Sequence, residues 1–199
     1  MKWLPGKLLA AATLGLVFVT LLIPSTVGAS TQDFKINSFT ADYYLSRDAN
    51  KTSIMNVKEV IVAEFPDFDQ NHGILRSIPK TYQDHTVSLL VTSVTDASGQ
   101  AYKYSTSTSN DNLVLKIGNP DTYVKGINTY QIEYSLRNVI NIPEDQSFDN
   151  EFYWDVNGTE WPQPMASITA RLHLPADLSS NLKDNQVCFF GVQRRKDKN

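Results

Sequence analysis

Four carboxylates fall within the seventeen positions 148–164: Asp149, Glu151, Asp155 and Glu160, set among Trp154, Trp161, Asn157-Gly158 and two prolines. Two carboxyl groups about 5–5.5 Å apart serve retaining glycoside hydrolysis, and about 6.5–9.5 Å apart inverting hydrolysis. Several acidic oxygens in one place can also hold a hard cation such as calcium. Asn157-Gly158 is a strong two-residue hairpin signal, because a type I′ loop needs φ > 0 at both central positions. That register sets Val156 against Thr159, Asp155 against Glu160 and Trp154 against Trp161, with both indoles on one face. Asp155 opposite Glu160 is a like-charge conflict. A cation, a bound proton or an arginine resolves it, or the register is wrong.

Arg76 is the arginine of interest. It lies between apolar neighbours in Gly73-Ile74-Leu75-Arg76-Ser77-Ile78-Pro79, and a guanidinium fits a carboxylate bidentately. Asp155 or Glu160 is its expected acceptor, the alternative being an arginine whose head lies in water over a sheet edge. His72, His85 and His173 are far apart in sequence and sit beside no Ser or Cys nucleophile motif. A Gly-rich phosphate loop, HExxH and paired CxxC are all missing from the sequence. The acids of the 149–160 segment thus carry the whole of a hydrolase reading. The set Asp149, Glu151, Asp155 and Glu160 carries the calcium reading, in which the ion would stiffen the hairpin.

The elements that must position these groups read as strands. Phe39, Ala41, Tyr43 and Leu45 alternate with polar residues, as do Met55, Val57, Ile61, Ala63 and Phe65, with Glu59 interrupting. Tyr130, Ile132, Tyr134 and Leu136 repeat the period of two, and so do Ile168, Ala170, Leu172 and Leu174 before Pro175. Residues 87–95 form a further strand, with 101–105 returning antiparallel to it. Residues 113–117 form another, and 187–190 are a last candidate. The Ser-, Thr- and Asn-rich stretch 106–112 reads as a loop. The apolar spacing of a helix is missing from every window after residue 29. Seven to nine short strands separated by turn residues predict an all-β fold, an antiparallel β-sandwich of immunoglobulin-like type.

The start of the chain fixes its compartment. Two lysines, an apolar run of sixteen residues at 8–23 and Val27-Gly28-Ala29 read as a secretory signal peptide over 1–29. An uncleaved anchor is the alternative, although sixteen helical residues reach only about 24 Å of the ~30 Å hydrocarbon core. Removing residues 1–29 leaves 16 basic against 21 acidic groups, a net charge of −5. That balance argues against a nucleic-acid surface. The expected organisation is the leader, a single β-domain over 30–190, and a basic tail over 191–199. Cys188 is the single cysteine, so it forms no internal disulfide; intermolecular pairing, a buried thiol and a missing partner remain open. Asn50-Lys51-Thr52 and Asn157-Gly158-Thr159 are glycosylation sequons, relevant only in a host with that machinery.

Three stretches carry a family resemblance: Gly73-Ile74-Leu75-Arg76-Ser77-Ile78-Pro79, the run 117–123 ending in Tyr123, and Glu151-Phe152-Tyr153-Trp154-Asp155-Val156-Asn157-Gly158-Thr159-Glu160-Trp161-Pro162. In this order they resemble the N-terminal domain of the DUF2207 predicted membrane proteins, bacterial surface proteins with no assigned activity. The resemblance covers roughly residues 39–188. It implies an extracytoplasmic β-rich domain, normally followed by transmembrane helices and a Gly- and Ser-rich tail. Two departures stand out. Ser77 takes the place of the family's usual acid after Arg76, and the basic residues after Cys188 stand where a membrane span is expected. The latter suggests a fragment or an early-terminated copy, and a second cysteine further on in related chains would explain the odd thiol.

The resemblance supplies no catalytic residues. The functional expectation is a non-enzymatic, exported module that binds a protein or cell-envelope partner, on the outer face of the cell membrane or secreted. Arg76, Tyr123, Asp155, Glu160 and Trp161 are its candidate contact residues, and it needs no cofactor. The alternatives are an envelope glycan hydrolase using the 149–160 acids and a structural calcium-binding module.

Overall fold

The computed structural model describes residues 33–82, 85–140, 150–184 and 186–189. The expected leader 1–29, the basic tail 191–199 and Asp149 lie outside the described residues. Ten strands are seen among them: β1 (Lys35–Arg47), β2 (Ser53–Phe65), β3 (Gly73–Pro79), β4 (Thr81–Tyr82), β5 (His85–Thr86), β6 (Ser88–Thr95), β7 (Tyr104–Ser109), β8 (Asn112–Gly118), β9 (Gly126–Arg137) and β10 (Ile168–His173). One helical turn, α1 (Ala176–Ser179), follows. A five-stranded sheet has the order β10-β1-β2-β9-β6, a three-stranded sheet the order β3-β8-β7, and β4 and β5 form a small pair.

The all-β expectation holds, and the period of two explains why. β1, β2 and β9 each bury every second residue: Phe39, Ala41 and Tyr43; Met55, Val57 and Ile61; Tyr130, Ile132 and Tyr134. In-register pairing places these on one face, Tyr43 opposite Val57 and Val57 opposite Tyr134. Ile74, Ile78, Leu115 and Ile117 from the three-stranded sheet join the same apolar core. Burial of a residue of this size stabilises by about 1.5–3 kcal/mol, and that drive outweighs the modest strand propensity of any single segment.

Several expectations need correction. The large sheet is mixed, because β10 runs parallel to β1. Residues 106–112 are largely strand, since β7 occupies Tyr104–Ser109 and pairs with β8; only one bridge, Thr95 with Ala101, links the 101–105 stretch to β6. The run 73–79, absent from the expected strands, is strand β3. Residues 187–189 are exposed and outside any strand. Most of all, 157–158 is no hairpin, for residues 152–164 make no strand. Asn157 lacks the positive φ that a type I′ loop requires, although Gly158 has φ 73°. The left-handed pair sits instead at Asn110 and Asp111, φ 48° and 59°, joining Ser109 to Asn112 across the β7–β8 hairpin. Asx residues tolerate that conformation, so Asn-Asp there closes the turn without glycine.

Gly73 and Gly118 terminate the β3–β8 ladder face to face. Both have positive φ, 139° and 138°, and an added Cβ would lie 1.9 Å from the Ile117 carbonyl oxygen or 1.8 Å from that of His72. Only glycine permits this approach. The pair thereby brings the loops 66–72 and 119–125 side by side, and a bridge from the Val124 N–H to the Asn71 carbonyl at 2.8 Å fastens them. Gly118→Ala is expected to lower stability by about 2–3 kcal/mol. Gly99→Ala, where nothing lies within 4 Å, should cost only about 1 kcal/mol by backbone strain. Urea midpoints at unchanged slope check both.

Candidate functional site

Two arrangements concentrate the polar chemistry of the described residues, one buried and one exposed. The buried one grows from two inward charges. Glu59 lies between Val57 and Ile61 on β2, and Arg76 between Ile74 and Ile78 on β3, so each strand's alternation points its charge into the core. They meet as a fork: Arg76 Nε donates to Glu59 Oε2 at 2.8 Å, and Nη2 donates to Oε1 at 2.7 Å. The Tyr134 hydroxyl donates to the same Oε1 at 2.6 Å. Arg76 Nη1 donates to the carbonyls of Ser77 at 2.6 Å and Asn157 at 2.9 Å. The Phe39 ring lies 5.4 Å from the guanidinium carbon, within cation–π range.

Relative exposure is 1% for Arg76 and 0% for Glu59. Burial alone would lower the guanidinium's affinity for its proton, but the Glu59 charge and hydrogen bonds outweigh it and raise it. Burial, then the Glu59 charge, push the Tyr134 and Tyr43 hydroxyls up. These groups hold charge away from water. They satisfy one another, and Arg76, a candidate contact residue by sequence, is buried.

Arg76's partner is therefore Glu59, not Asp155 or Glu160. Both of those acids are exposed, as is Glu151. The opposition of Asp155 and Glu160 that motivated a cation disappears with the hairpin. Among the described residues no group of three or more His, Cys, Asp or Glu side chains is placed to hold a metal.

The segment around Asn157 lies against the core instead. The Asn157 carbonyl accepts from both Arg76 and the Trp161 indole, the latter at 2.9 Å. Tyr43 donates to the Val156 carbonyl at 2.9 Å. A Cβ on Gly158 would sit 3.1 Å from Arg76 Nη1, so the glycine admits a close approach. Trp154 and Trp161 do not pair: Trp154 lies 6.0 Å from the Tyr82 ring, and Tyr153 lies 6.1 Å from it on a separate contact. Burial pushes the Tyr82 hydroxyl up to about 12.

The exposed arrangement sits on the two glycine-clamped loops. Tyr123, 47% exposed, stacks on His72 with ring centroids 4.3 Å apart. His72 Nδ1 lies 3.0 Å from the Thr122 carbonyl oxygen. A carbonyl only accepts, so Nδ1 carries the proton and Nε2 of the neutral ring is the acceptor. Asn119 braces the loop, donating to Thr122 Oγ1 at 3.1 Å and accepting from the Asp121 N–H at 3.2 Å. On the facing loop Gln70 and Asn71 are buried, Gln70 Nε2 donating to Asn71 Oδ1 at 3.0 Å. Phe68, 51% exposed, and the Lys125–Asp69 ion pair at 2.8 Å lie on the same two loops. The sequence offers Tyr123 as a candidate contact residue, and nothing in it links that residue to His72, 51 positions away. The third histidine site is separate: His173 lies 2.8 Å from Asp42 and stacks on Tyr44, and the His173 hydrogen bond holds the Asp42 carboxyl below its usual range.

The family model for the N-terminal domain of DUF2207, a predicted membrane protein, matches residues 35–199. The chain belongs to that family. Its three stretches are structurally one unit in this DUF2207 domain: 73–79 is β3 bearing Arg76, 117–123 runs from the glycine pair to Tyr123, and 151–162 delivers the Asn157 carbonyl to Arg76. Ser77 meets Arg76 through its backbone carbonyl, which accepts from Nη1.

No curated protein matches the chain. Among solved structures, native leukotriene A4 hydrolase from Saccharomyces cerevisiae is similar at 12% identity and TM-score 0.36, over 56% of this chain and 17% of that one. A two-domain M1 zinc metallopeptidase bound to L-arginine is similar at 13% and 0.40, over 75% and 37%. The same peptidase bound to L-tryptophan gives 12% and 0.38, over 72% and 33%. The DUF2207 chain thus spans well under half of each of these proteins, and likeness at this level carries no argument for activity.

Glu59→Gln is expected to destabilise the domain by about 3–5 kcal/mol, since it leaves the Arg76 charge buried without a counter-charge. The double variant Glu59→Leu/Arg76→Met should recover at least about 2 kcal/mol of that loss. Urea unfolding of the single and double variants measures the difference.

Proposed function

We propose that this DUF2207 domain is an exported, non-enzymatic binding module on the outer face of the cell membrane. Its two sheets would be packed as an immunoglobulin-like sandwich, and its ligand-contacting face would be the His72–Tyr123 platform. The observation that carries the reading is the construction of that platform. An exposed tyrosine stacked on a half-buried histidine is held on two loops by a glycine pair that tolerates no side chain, by the backbone bridge from Val124 to Asn71 and by the Lys125–Asp69 ion pair. Rigid aromatic area at low entropy cost, presented on loops over a fixed scaffold, is what recognition surfaces use. The membrane association in the family's description supports the location. No helix among the described residues is long and apolar enough to cross a membrane, so this reading assigns any spanning segment to other parts of the protein.

The ligand class is a protein or envelope polymer, and Asp155, Glu160 and Trp161 are secondary to it. Asp155 and Glu160 are exposed on the irregular segment, and the Trp161 indole is committed to Asn157. The test is binding of the full chain to envelope membranes and to purified cell-wall glycan. Tyr123→Ala should weaken binding by about tenfold or more while shifting stability by no more than about 0.5 kcal/mol. Asp155→Asn/Glu160→Gln should bind as the parent does. Equal binding by Tyr123→Ala would sink the platform reading. Glycan turnover abolished in the carboxylate variant would replace the module with a hydrolase.

A further inference from the structure

The three-stranded sheet ends in β7, Tyr104-Ser105-Thr106-Ser107-Thr108-Ser109, which is exposed at all six residues. Among the described residues nothing pairs with its outer side, so one row of its backbone N–H and C=O groups is open to a further strand. Proteins blunt such edges with charge, proline or a bulge. The other outer strands carry these devices. β6 is broken in register between Val91 and Ser93. β10 carries Arg171 and His173, both tied to Asp42. β3 carries Arg76 and ends in Pro79. β7 has no charge, no proline and an unbroken register with β8 from Tyr104↔Ile117 to Ser109↔Asn112.

We propose that β7 pairs antiparallel, edge to edge, with β7 of a second copy of this chain, making one continuous sheet in the order β3-β8-β7-β7-β8-β3. The choice of occupant follows from symmetry. A two-fold axis perpendicular to an antiparallel pair sets one residue opposite its own copy, so a charge at the centre repels itself. The centre of β7 is Thr106 or Ser107, both neutral and able to hydrogen-bond across the strands. The ends are complementary. Lys103 precedes β7 and Asp111 follows it in the turn, so antiparallel pairing lays Lys103 of one copy towards Asp111 of the other. At β10 the same operation would bring Arg171 close to itself.

Cysteine cross-linking on the full chain in its own membranes tests this, in a Cys188→Ser background. Thr106→Cys and Ser107→Cys are oxidised separately, because a disulfide needs Cα atoms about 4.4–6.8 Å apart. The axis passes through one of these residues only. One variant should therefore form a dimer of twice the chain mass at about tenfold the yield of the other, since the neighbour's two copies are offset along the strands beyond ~7 Å. Leu90→Cys on β6 and Thr169→Cys on β10 should give no dimer. Adding Thr108→Lys to the productive variant should cut its yield by about tenfold, with thermal unfolding unchanged. Equal yields at all positions, no dimer at either β7 position, or a cross-link to a chain of different mass would overturn the proposal.

Discussion

The buried Arg76–Glu59 pair is the constraint on which the rest of the domain depends. Removing two charges from water costs several kcal/mol each, and their attraction offsets this only where geometry is good and the remaining donors and acceptors are met. The domain meets that condition from three directions. β2 supplies the carboxylate, β9 the Tyr134 hydroxyl, and the 151–165 segment the Asn157 carbonyl. The three-stranded sheet is thereby tied to the five-stranded one by a directional contact. Apolar packing alone would tolerate sliding; a fork with two bonds near 2.8 Å does not. The irregular segment joins the core through the Asn157 and Val156 carbonyls and through Trp154, Val156 and Trp161 packed against it.

The glycine pair is the second constraint, and it works at the start of β3. Arg76 fixes where β3 lies over β2, while Gly73 against Gly118 fixes how closely the chain leaving β8 approaches the chain entering β3. Loops normally vary and move more than the strands they join. These two are held by a backbone bridge and by the Lys125–Asp69 ion pair, which gives the His72–Tyr123 pair a defined geometry. The order of causes runs from backbone contact to loop pairing to aromatic surface.

The two lateral margins of the fold differ. On one, the apolar side chains of β10 that share a face with Phe39 and Tyr43 remain open, Ile168 at 48% and Leu172 at 44%. Edge strands in parallel pairing gain less per residue than antiparallel ones, and β10 adds ion pairs from Arg171 and His173 to Asp42. On the other margin, β7 after Tyr104 consists only of serine and threonine. The core is consequently centred on β1, β2, β9, β3 and β8, with the outer strands framing it.

Alternation by itself determined the strands whose inward residues are apolar. β1, β2 and β9 stand in the sequence as period-two patterns because burial selects the same chemistry at every second position. It hid β3 and β7: Arg76 breaks the apolar face of the first, and the second is polar on both faces. Glu59 stands in the sequence as an interruption of an apolar face and Arg76 as a charge between apolar neighbours, with nothing to join the two. The Asn-Gly at 157–158 drew attention instead, because local turn propensity is visible in sequence and a pairing between residues 17 positions apart on different sheets is not. Tertiary structure alone decided that Asn157 would serve Arg76, that the left-handed turn would fall at Asn110-Asp111, and that His72 would meet Tyr123. Each of those outcomes is a close approach between segments distant in the chain, and such contacts are set by the packing of the whole core.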